Sequence, residues 1–312
     1  MELFEVQLEL ESACFLNCIH CSSQAMRRST RTYSDEDVLR FLCYIPLPLE
    51  VFFTGGEPLL YPGLLALCSE VHEQRPDCEM GILTSGIVSE HGALSPVSSV
   101  TLESLHRVGV NIAYVSLYSD TPAWHDEMTN KPGSFNLTVR AIQNMVQLGM
   151  DTRINLVITR QNVHRLPEII RFASELGVGE VRPLKLVCHG SAAAHWAHIG
   201  LSDADYAQAV VELYQHRQNL PTRITVSSMP RLAPCRPVGR SEGCQAGKRL
   251  LYVALSGEVY PCACVKNNRA ASLGNIREPA LESIVNKSVP WGKTRFRCLR
   301  EMENETMENQ EC

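Results

Sequence analysis

Residues 3–21 read Leu-Phe-Glu-Val-Gln-Leu-Glu-Leu-Glu-Ser-Ala-Cys-Phe-Leu-Asn-Cys-Ile-His-Cys. Leu3–Leu10 is a strand candidate, and Cys14, Cys18 and Cys21 follow it in a C-x3-C-x2-C loop. Thiolates are the natural ligands of iron–sulfur clusters, normally four to a cubane. Three closely spaced thiolates with no fourth nearby leave one iron open. An open position is what separates a reactive metal centre from a structural one. A zinc knuckle that borrows His20 or a distant Cys is the alternative for this loop.

Outward from this stretch, strand and helix patterns alternate. Further strand candidates are Val51–Thr54, Met80–Thr84, Asn111–Leu117, Arg153–Thr159 and Glu180–Leu186. Helical patterns lie between them at Asp35–Tyr44, Leu64–Glu73, Thr101–Val108, Ser134–Leu148 and His164–Leu176. Short β-rich runs separated by helices of this length imply parallel βαβ units. The fold class is α/β: a partial (β/α)6 TIM-like barrel over residues 1–222, with a small C-terminal β-hairpin and helix domain over residues 223–312. In β/α barrels the loops at the carboxyl ends of the strands carry the active site, and the cysteine loop occupies the first of them.

The chain has 312 residues, 29 Lys plus Arg against 34 Asp plus Glu, and a net charge of −5. A mildly acidic chain without a basic block argues against nucleic acid or anionic lipid as partner. Its apolar stretches are broken by Pro or charge well short of a membrane span. Met-Glu-Leu-Phe-Glu at the start lacks the basic and apolar regions of a signal peptide, so the expected location is cytoplasmic. Thirteen cysteines in such a chain point to metal rather than disulfides.

The other strand candidates also end in polar groups. The second ends in Thr54-Gly55-Gly56-Glu57-Pro58, where the glycines allow close backbone approach and Glu57 offers a carboxylate to an ammonium group. The third ends in Thr84-Ser85-Gly86, and the fourth carries Ser116 with Tyr118 two residues on, the same strand face. All face one common cavity.

On these residues the sequence resembles the radical S-adenosylmethionine (SAM) superfamily, over roughly residues 3–220. The resemblance implies a [4Fe-4S] cluster on Cys14, Cys18 and Cys21, with its fourth iron chelated by SAM. It implies that His20 lies near the adenine, and that Gly55, Gly56, Glu57 and Pro58 receive the methionyl amino group. Ser116 matches a position used for ribose or carboxylate. Ser85 and Arg153 are further expected SAM contacts. Many relatives carry Asp where this chain has Tyr118, which blurs the transfer of any substrate contact there. The implied chemistry is reductive cleavage of SAM to a 5′-deoxyadenosyl radical, which abstracts hydrogen from an unactivated C–H bond. An external one-electron reductant of flavodoxin or ferredoxin type is the implied protein partner.

Six cysteines crowd the last quarter: Cys235, Cys244, Cys262, Cys264, Cys298 and Cys312. Residues Arg249–Tyr260 read as a hairpin around Ser256-Gly257, with Cys244 and Cys262 beside its two ends. This run resembles the SPASM and Twitch extensions that hold auxiliary clusters in radical SAM enzymes. The shorter Twitch type, with one [4Fe-4S], is the better fit. Cys244, Cys262, Cys298 and Cys312 are the expected ligands, Cys235 or Cys264 the substitutes, and a structural zinc the alternative.

Cys43, Cys68 and Cys78 have apolar neighbours and are expected in the core. Cys188 follows the sixth strand candidate and Cys235 precedes the auxiliary site. Either could return a hydrogen atom to a substrate radical, as in the small natural-product epimerases this chain resembles. An epimerase acting on a small molecule or peptide is the leading expectation, with Cys235 and then Cys188 as the donor. A dehydrogenase or a peptide cross-linking maturase is the alternative within the superfamily. A non-catalytic zinc-binding or electron-transfer protein is the alternative outside it. The first strand begins close to Met1, so no leader-gripping domain is expected, and the expectation leans to a small molecule or to a peptide recognised without a separate module. The histidines of Cys188–Ile199 match no metal spacing and are expected on the surface.

Overall fold

Alternate residues of the first strand serve two environments. In β1 (Phe4–Glu11) the side chains of Phe4, Val6, Leu8 and Leu10 enter the main hydrophobic core. Glu5, Gln7, Glu9 and Glu11 therefore point to the opposite face of the sheet. The computed structural model describes residues 3–23, 30–90, 92–216, 222–225, 246–247, 249–266 and 268–288.

Five further parallel strands continue the sheet: β2 (Leu49–Gly55), β3 (Cys78–Thr84), β6 (Val110–Ser116), β7 (Asp151–Ile158) and β8 (Glu180–Lys185). Between them lie α1 (Asp35–Leu42), α2 (Leu64–Gln74), α3 (Ser99–Arg107), α4 (Pro122–Thr129), α5 (Ser134–Gln147) and α6 (Leu166–Glu175). This is the α/β partial barrel read from the sequence, with each of the six strands within a few residues of its expected place. Parallel strands covered by helices are buried on both faces, which is why Val51, Phe52 and Phe53 follow one another without a polar break.

Local signals set the helix ends. Ser34 and Asp37 form a capping box at the start of α1. Asp126, on α4, caps the next helix instead of its own. Its carboxylate accepts from the N–H of Gly133 (2.6 Å) and Phe135 (2.8 Å) and from the Ser134 hydroxyl (2.9 Å), which offsets the unpaired amides at the start of α5.

Sequence pattern did not single out α4, nor the small hairpin of β4 (Ile87–Glu90) and β5 (Ala93–Pro96). It also did not single out α7 (Ser191–Ala194), α8 (Trp196–Ile199) and α9 (Asp203–His216), which follow β8. Two-residue β9 (Arg223–Ile224) pairs with β8.

The hairpin expected at Arg249–Tyr260 is present as β10 (Leu250–Val253) and β11 (Glu258–Tyr260), followed by β12 (Gly274–Asn275) and α10 (Leu281–Ser288). Its place was not legible. β10 runs parallel to β1, with Val6 opposite Leu251 and Leu8 opposite Val253, so the sheet order is β12-β11-β10-β1-β2-β3-β6-β7-β8-β9. The C-terminal hairpin thus lengthens the barrel sheet along the edge that carries the cysteine loop.

Cys68 and Cys78 are buried, as their neighbours suggest, and burial pushes both thiols up to about 12. Cys43 is not. It caps the C-terminus of α1 and is exposed, because the apolar face of that helix is carried by Val38, Leu39, Phe41 and Leu42. No described helix is long and apolar enough to cross a membrane.

Candidate functional site

At the end of β1 the Glu11 carboxylate accepts from the N–H of Ser12 (2.7 Å) and Ala13 (3.0 Å), turning the chain out of the sheet into the cysteine loop. Backbone hydrogen bonds then hold the loop from two sides. Asn17 and Ile19 donate to the carbonyls of Thr129 and Met128 at the end of α4, at 3.1 and 3.0 Å. On the other side Ser191 donates to the Cys21 carbonyl at 2.9 Å. Ile19 also packs with Tyr118, Met128, Leu186, Ala192 and Ile199 in a small apolar cluster above the strand ends. Cys14, Cys18 and Cys21 remain half-buried. Leu16 N–H points at the Cys14 sulfur, 3.4 Å away. Hydrogen bonds of this kind favour thiolate over thiol and tune iron–sulfur sites.

Gly55 and Gly56 act on this loop directly. A Cβ on Gly55 would lie 2.2 Å from the Glu11 carbonyl oxygen, and one on Gly56 would lie 2.3 Å from that of Ala13. The N–H groups of Gly56 and Glu57 donate to those same carbonyls at 2.7 and 2.8 Å. The end of β2 is therefore packed backbone to backbone against the base of the cysteine loop, which only glycine permits.

The Glu57 side chain is engaged within the chain. It is buried and takes the Thr84 hydroxyl (2.5 Å), the Ser85 hydroxyl (2.6 Å) and N–H (2.9 Å), and the Leu59 N–H (3.3 Å). Burial raises its pKa, while these donors work to hold it down. Glu57 and Ser85 tie the end of β2 to the end of β3. Pro58 opens the short 3-10 turn Pro58–Leu60 behind them.

On β6 and β7, Ser116 lies opposite Asn155 in register, at the carboxyl end and on one face. Ser116 also shares a hydrogen bond with the Tyr118 side chain. Arg153 does not join them. It lies opposite Tyr114, two residues toward the strand's start, and its guanidinium binds Asp151 (2.5 Å) and the Tyr114 hydroxyl (2.9 Å). The period of two that puts Arg153 on the interior face carries Asn155 one level higher, beside Ser116. That is the signal that could have found Asn155. Its buried Oδ1 has no partner among the described residues.

His20 meets Tyr118 edge to face, with ring centroids 4.3 Å apart, and Tyr118 stacks on His125 at 5.6 Å. Burial first, then His125, lowers the His20 pKa to about 4, so the ring is neutral. Its Nδ1 is buried with no hydrogen-bond partner among the described residues. Burial, then Cys18, Cys21 and Cys14, pushes the Tyr118 hydroxyl well above its ordinary value.

No three described His, Cys, Asp or Glu side chains converge as ligands of one metal ion. A cubane does not ask that of them, since each of its thiolates binds a different iron. The donor set of the loop, with three accessible sulfurs, an N–H aimed at one and a neutral imidazole beside them, fits such a cluster. The Nδ1 of His20 and the Oδ1 of Asn155, unpartnered among the described residues, fit a polar cofactor next to it.

A profile of the radical SAM superfamily matches residues 9–173, more than half of the 312. The chain belongs to the radical SAM superfamily. A second profile, of an iron–sulfur cluster-binding domain of SPASM type, matches residues 244–312. A [4Fe-4S] cluster, an auxiliary cluster and SAM are thus the cofactors of this radical SAM enzyme.

Among similar proteins, an AdoMet-dependent heme synthase of Oleidesulfovibrio alaskensis is 22% identical, covering 90% of this chain and 74% of that one. The PqqA peptide cyclase of Gluconobacter oxydans is 26% identical, with 90% and 75% covered. The mycofactocin maturase MftC of Mycobacterium tuberculosis is 29% identical, with 81% and 63% covered. In structure, Streptococcus suis SuiB bound to S-adenosylmethionine superposes with a TM-score of 0.69 over 94% of this chain and 68% of SuiB. At 17% identity that likeness shows the fold alone.

Of the sulfurs expected at the auxiliary centre, Cys262 follows β11 and Cys264 lies in the 3-10 turn Ala263–Val265, both half-buried. Cys235, Cys244, Cys298 and Cys312 lie outside the described residues. Cys188 is half-buried in the loop after β8, two residues before Gly190.

Proposed function

We propose that this radical SAM enzyme acts on a natural product, most simply a peptide, and inverts one of its stereocentres. Residues 1–222 serve as the SAM barrel in this reading and residues 223–312 as the auxiliary-cluster module. Cys14, Cys18 and Cys21 hold the first cluster. Cys244, Cys262, Cys298 and Cys312 hold the auxiliary one. His20, the backbone of Gly55, Gly56 and Glu57, Ser116 and Asn155 contact SAM. The cluster and SAM together supply a 5′-deoxyadenosyl radical that takes a hydrogen atom from one substrate carbon.

The residues of the chain then decide the outcome. The donor is Cys235 or Cys188. Its S–H bond breaks homolytically, a C–H bond forms on the opposite face of the substrate radical, and a sulfur radical remains. One electron from an external ferredoxin-like or flavodoxin-like reductant and one proton restore the thiol. The observation that carries Cys188 is the seat of its loop against the cysteine loop. Ser191 donates to the Cys21 carbonyl at 2.9 Å, and a Cβ on Gly190 would lie 2.6 Å from that same oxygen. A cytoplasmic location goes with this reading, because free thiols persist in a reducing compartment.

A peptide substrate is supported by the relatives, one of which is a peptide cyclase, and by the superposition on SuiB bound to precursor peptide SuiA. The same names favour a second reading, net two-electron oxidation that forms a new bond in the peptide. Product mass in D2O separates them. Epimerisation gives a product of unchanged formula carrying one solvent deuterium, which Cys188→Ala or Cys235→Ala abolishes while SAM cleavage continues. A product lighter by two hydrogens sinks the epimerase reading.

A further inference from the structure

Beneath the cysteine loop lies a charged pair that no step above uses. Glu9 on β1 and Lys266, from the C-terminal module, meet at 2.6 Å with both side chains only 2% exposed. Every polar atom is satisfied. Glu9 Oε1 also accepts from the Tyr252 hydroxyl, and Oε2 accepts from the Leu255 N–H at 3.0 Å. The Lys266 ammonium donates to Glu9, to the Tyr252 hydroxyl (3.2 Å) and to the Ser23 hydroxyl (2.5 Å).

Buried ion pairs are poor sources of net stability, since two apolar side chains of similar size often do as well or better. Their use is to fix which groups meet, and here they join β1 and the exit of the cysteine loop to a module 243 or more residues further along the chain. Ser23 stands two residues after Cys21, and Lys266 two residues after Cys264. The chain leaving the cysteine loop is held again further on by the same module. Thr32 N–H donates to the Leu255 carbonyl at 2.8 Å, while the Tyr33 hydroxyl ties the same stretch to the Glu9 carbonyl on β1. By contrast, α4 and the loop after β8 hold the stretch from Asn17 to Cys21.

We propose that Lys266 is a positioning residue for the first cluster: through Ser23 it sets the exit of the three-cysteine loop, and with it the placement of Cys21, relative to the C-terminal module. Glu9 and Tyr252 orient the ammonium for this purpose. The proposal rests on the first cluster and family membership, and the product-mass experiment above leaves it untouched whichever way that falls.

Two variants test it in the full-length, reconstituted protein. Ser23→Ala removes only the hydroxyl at the far end of the tie. Glu9→Gln combined with Lys266→Met removes the pair in balance, so no unpaired charge is left buried. In both, the expected result is an altered electron paramagnetic resonance signal of the reduced, SAM-bound first cluster and at least a tenfold weaker SAM affinity. The thermal midpoint of Ser23→Ala should stay near the wild type, and Ser23→Thr should restore both readouts. Loss of iron from the first cluster alone, in Ser23→Ala but not Ser23→Thr, carries the same meaning. Wild-type spectra and SAM affinity in both variants would overturn the proposal. So would a loss of stability with no change at the cluster.

Discussion

The carboxylate of Glu57 accepts both the hydroxyl and the backbone N–H of Ser85, at 2.6 and 2.9 Å, across the ends of two neighbouring strands. The side chain that reads in sequence as a ligand contact ties the end of β2 to the end of β3.

Glu57→Gln is therefore expected to lower stability more than SAM affinity. An amide carries one acceptor oxygen where the carboxylate has two, so a buried donor on β3 loses its partner, at a cost of about 1–3 kcal/mol. Urea unfolding and SAM titration on the same preparation measure the two effects. A hundredfold loss of SAM affinity at unchanged stability would put the carboxylate on the cofactor after all.

Gly56→Ala is expected to act on the cluster. Its Cβ would lie 2.3 Å from the Ala13 carbonyl oxygen and 2.4 Å from that of Ser12, so the base of the cysteine loop must move. Forced overpacking of this kind costs about 1–3 kcal/mol. Iron content and the visible spectrum after anaerobic reconstitution should both fall, whereas Gly179→Ala, whose added carbon would come no closer than 3.6 Å to another residue, should retain the cluster.

Arg153 and Asn155 separate by level in the barrel. Arg153→Met leaves Asp151 without its partner and removes one donor from the Tyr114 hydroxyl, which keeps Arg182 and Glu180, and it should lower the thermal midpoint while SAM affinity holds. Asn155→Leu should do the reverse, weakening SAM by about tenfold, the effect of one lost hydrogen bond of about 1.4 kcal/mol. Equal effects of the two on SAM would contradict this assignment.

Glu50 sets a pH dependence. Burial, then Glu5, pushes its carboxyl from an ordinary 4.5 up to about 7. Between those values the folded chain holds a proton that the unfolded chain has released. Its contribution to stability is therefore full below the lower value and declines as the pH rises to the upper one. Glu50→Gln, which stays neutral, should melt above the wild type at about pH 8 and show a smaller gain at about pH 5. Parallel melting curves across this range would show that Glu50 does not titrate as described.

Cys43 and Cys68 should part on alkylation. Exposed Cys43 is expected to react in the folded protein, while buried Cys68, its thiol pushed up to about 12, reacts only on unfolding. Cys43→Ser should change stability by less than about 0.5 kcal/mol. Mass spectrometry of the labelled peptides reads the difference.

Much of this was legible in the chain itself. The run from Leu3 to Cys21 announces a strand followed by a three-thiolate loop, and local pattern determines both: apolar side chains select the strand, and the spacing of sulfurs selects the chemistry. The six strands and most of their helices follow from the same short-range signals. So do Gly55 and Gly56, whose lack of a side chain is meaningful wherever two backbones must touch.

What the tertiary structure alone decided is which side chains remain for function after the scaffold has taken its share. Glu57 is tied to the end of β3 and Arg153 to Asp151 and Tyr114, while Cys43, expected in the core, faces solvent. Asn155 carries no motif, and only its register brings it beside Ser116. The meeting of Glu9 with Lys266 and the pairing of β10 with β1 span most of the chain, and no local pattern encodes them. Hydrogen bonds and register are pairwise facts: one residue can advertise what it is able to do, but its partner determines what it does.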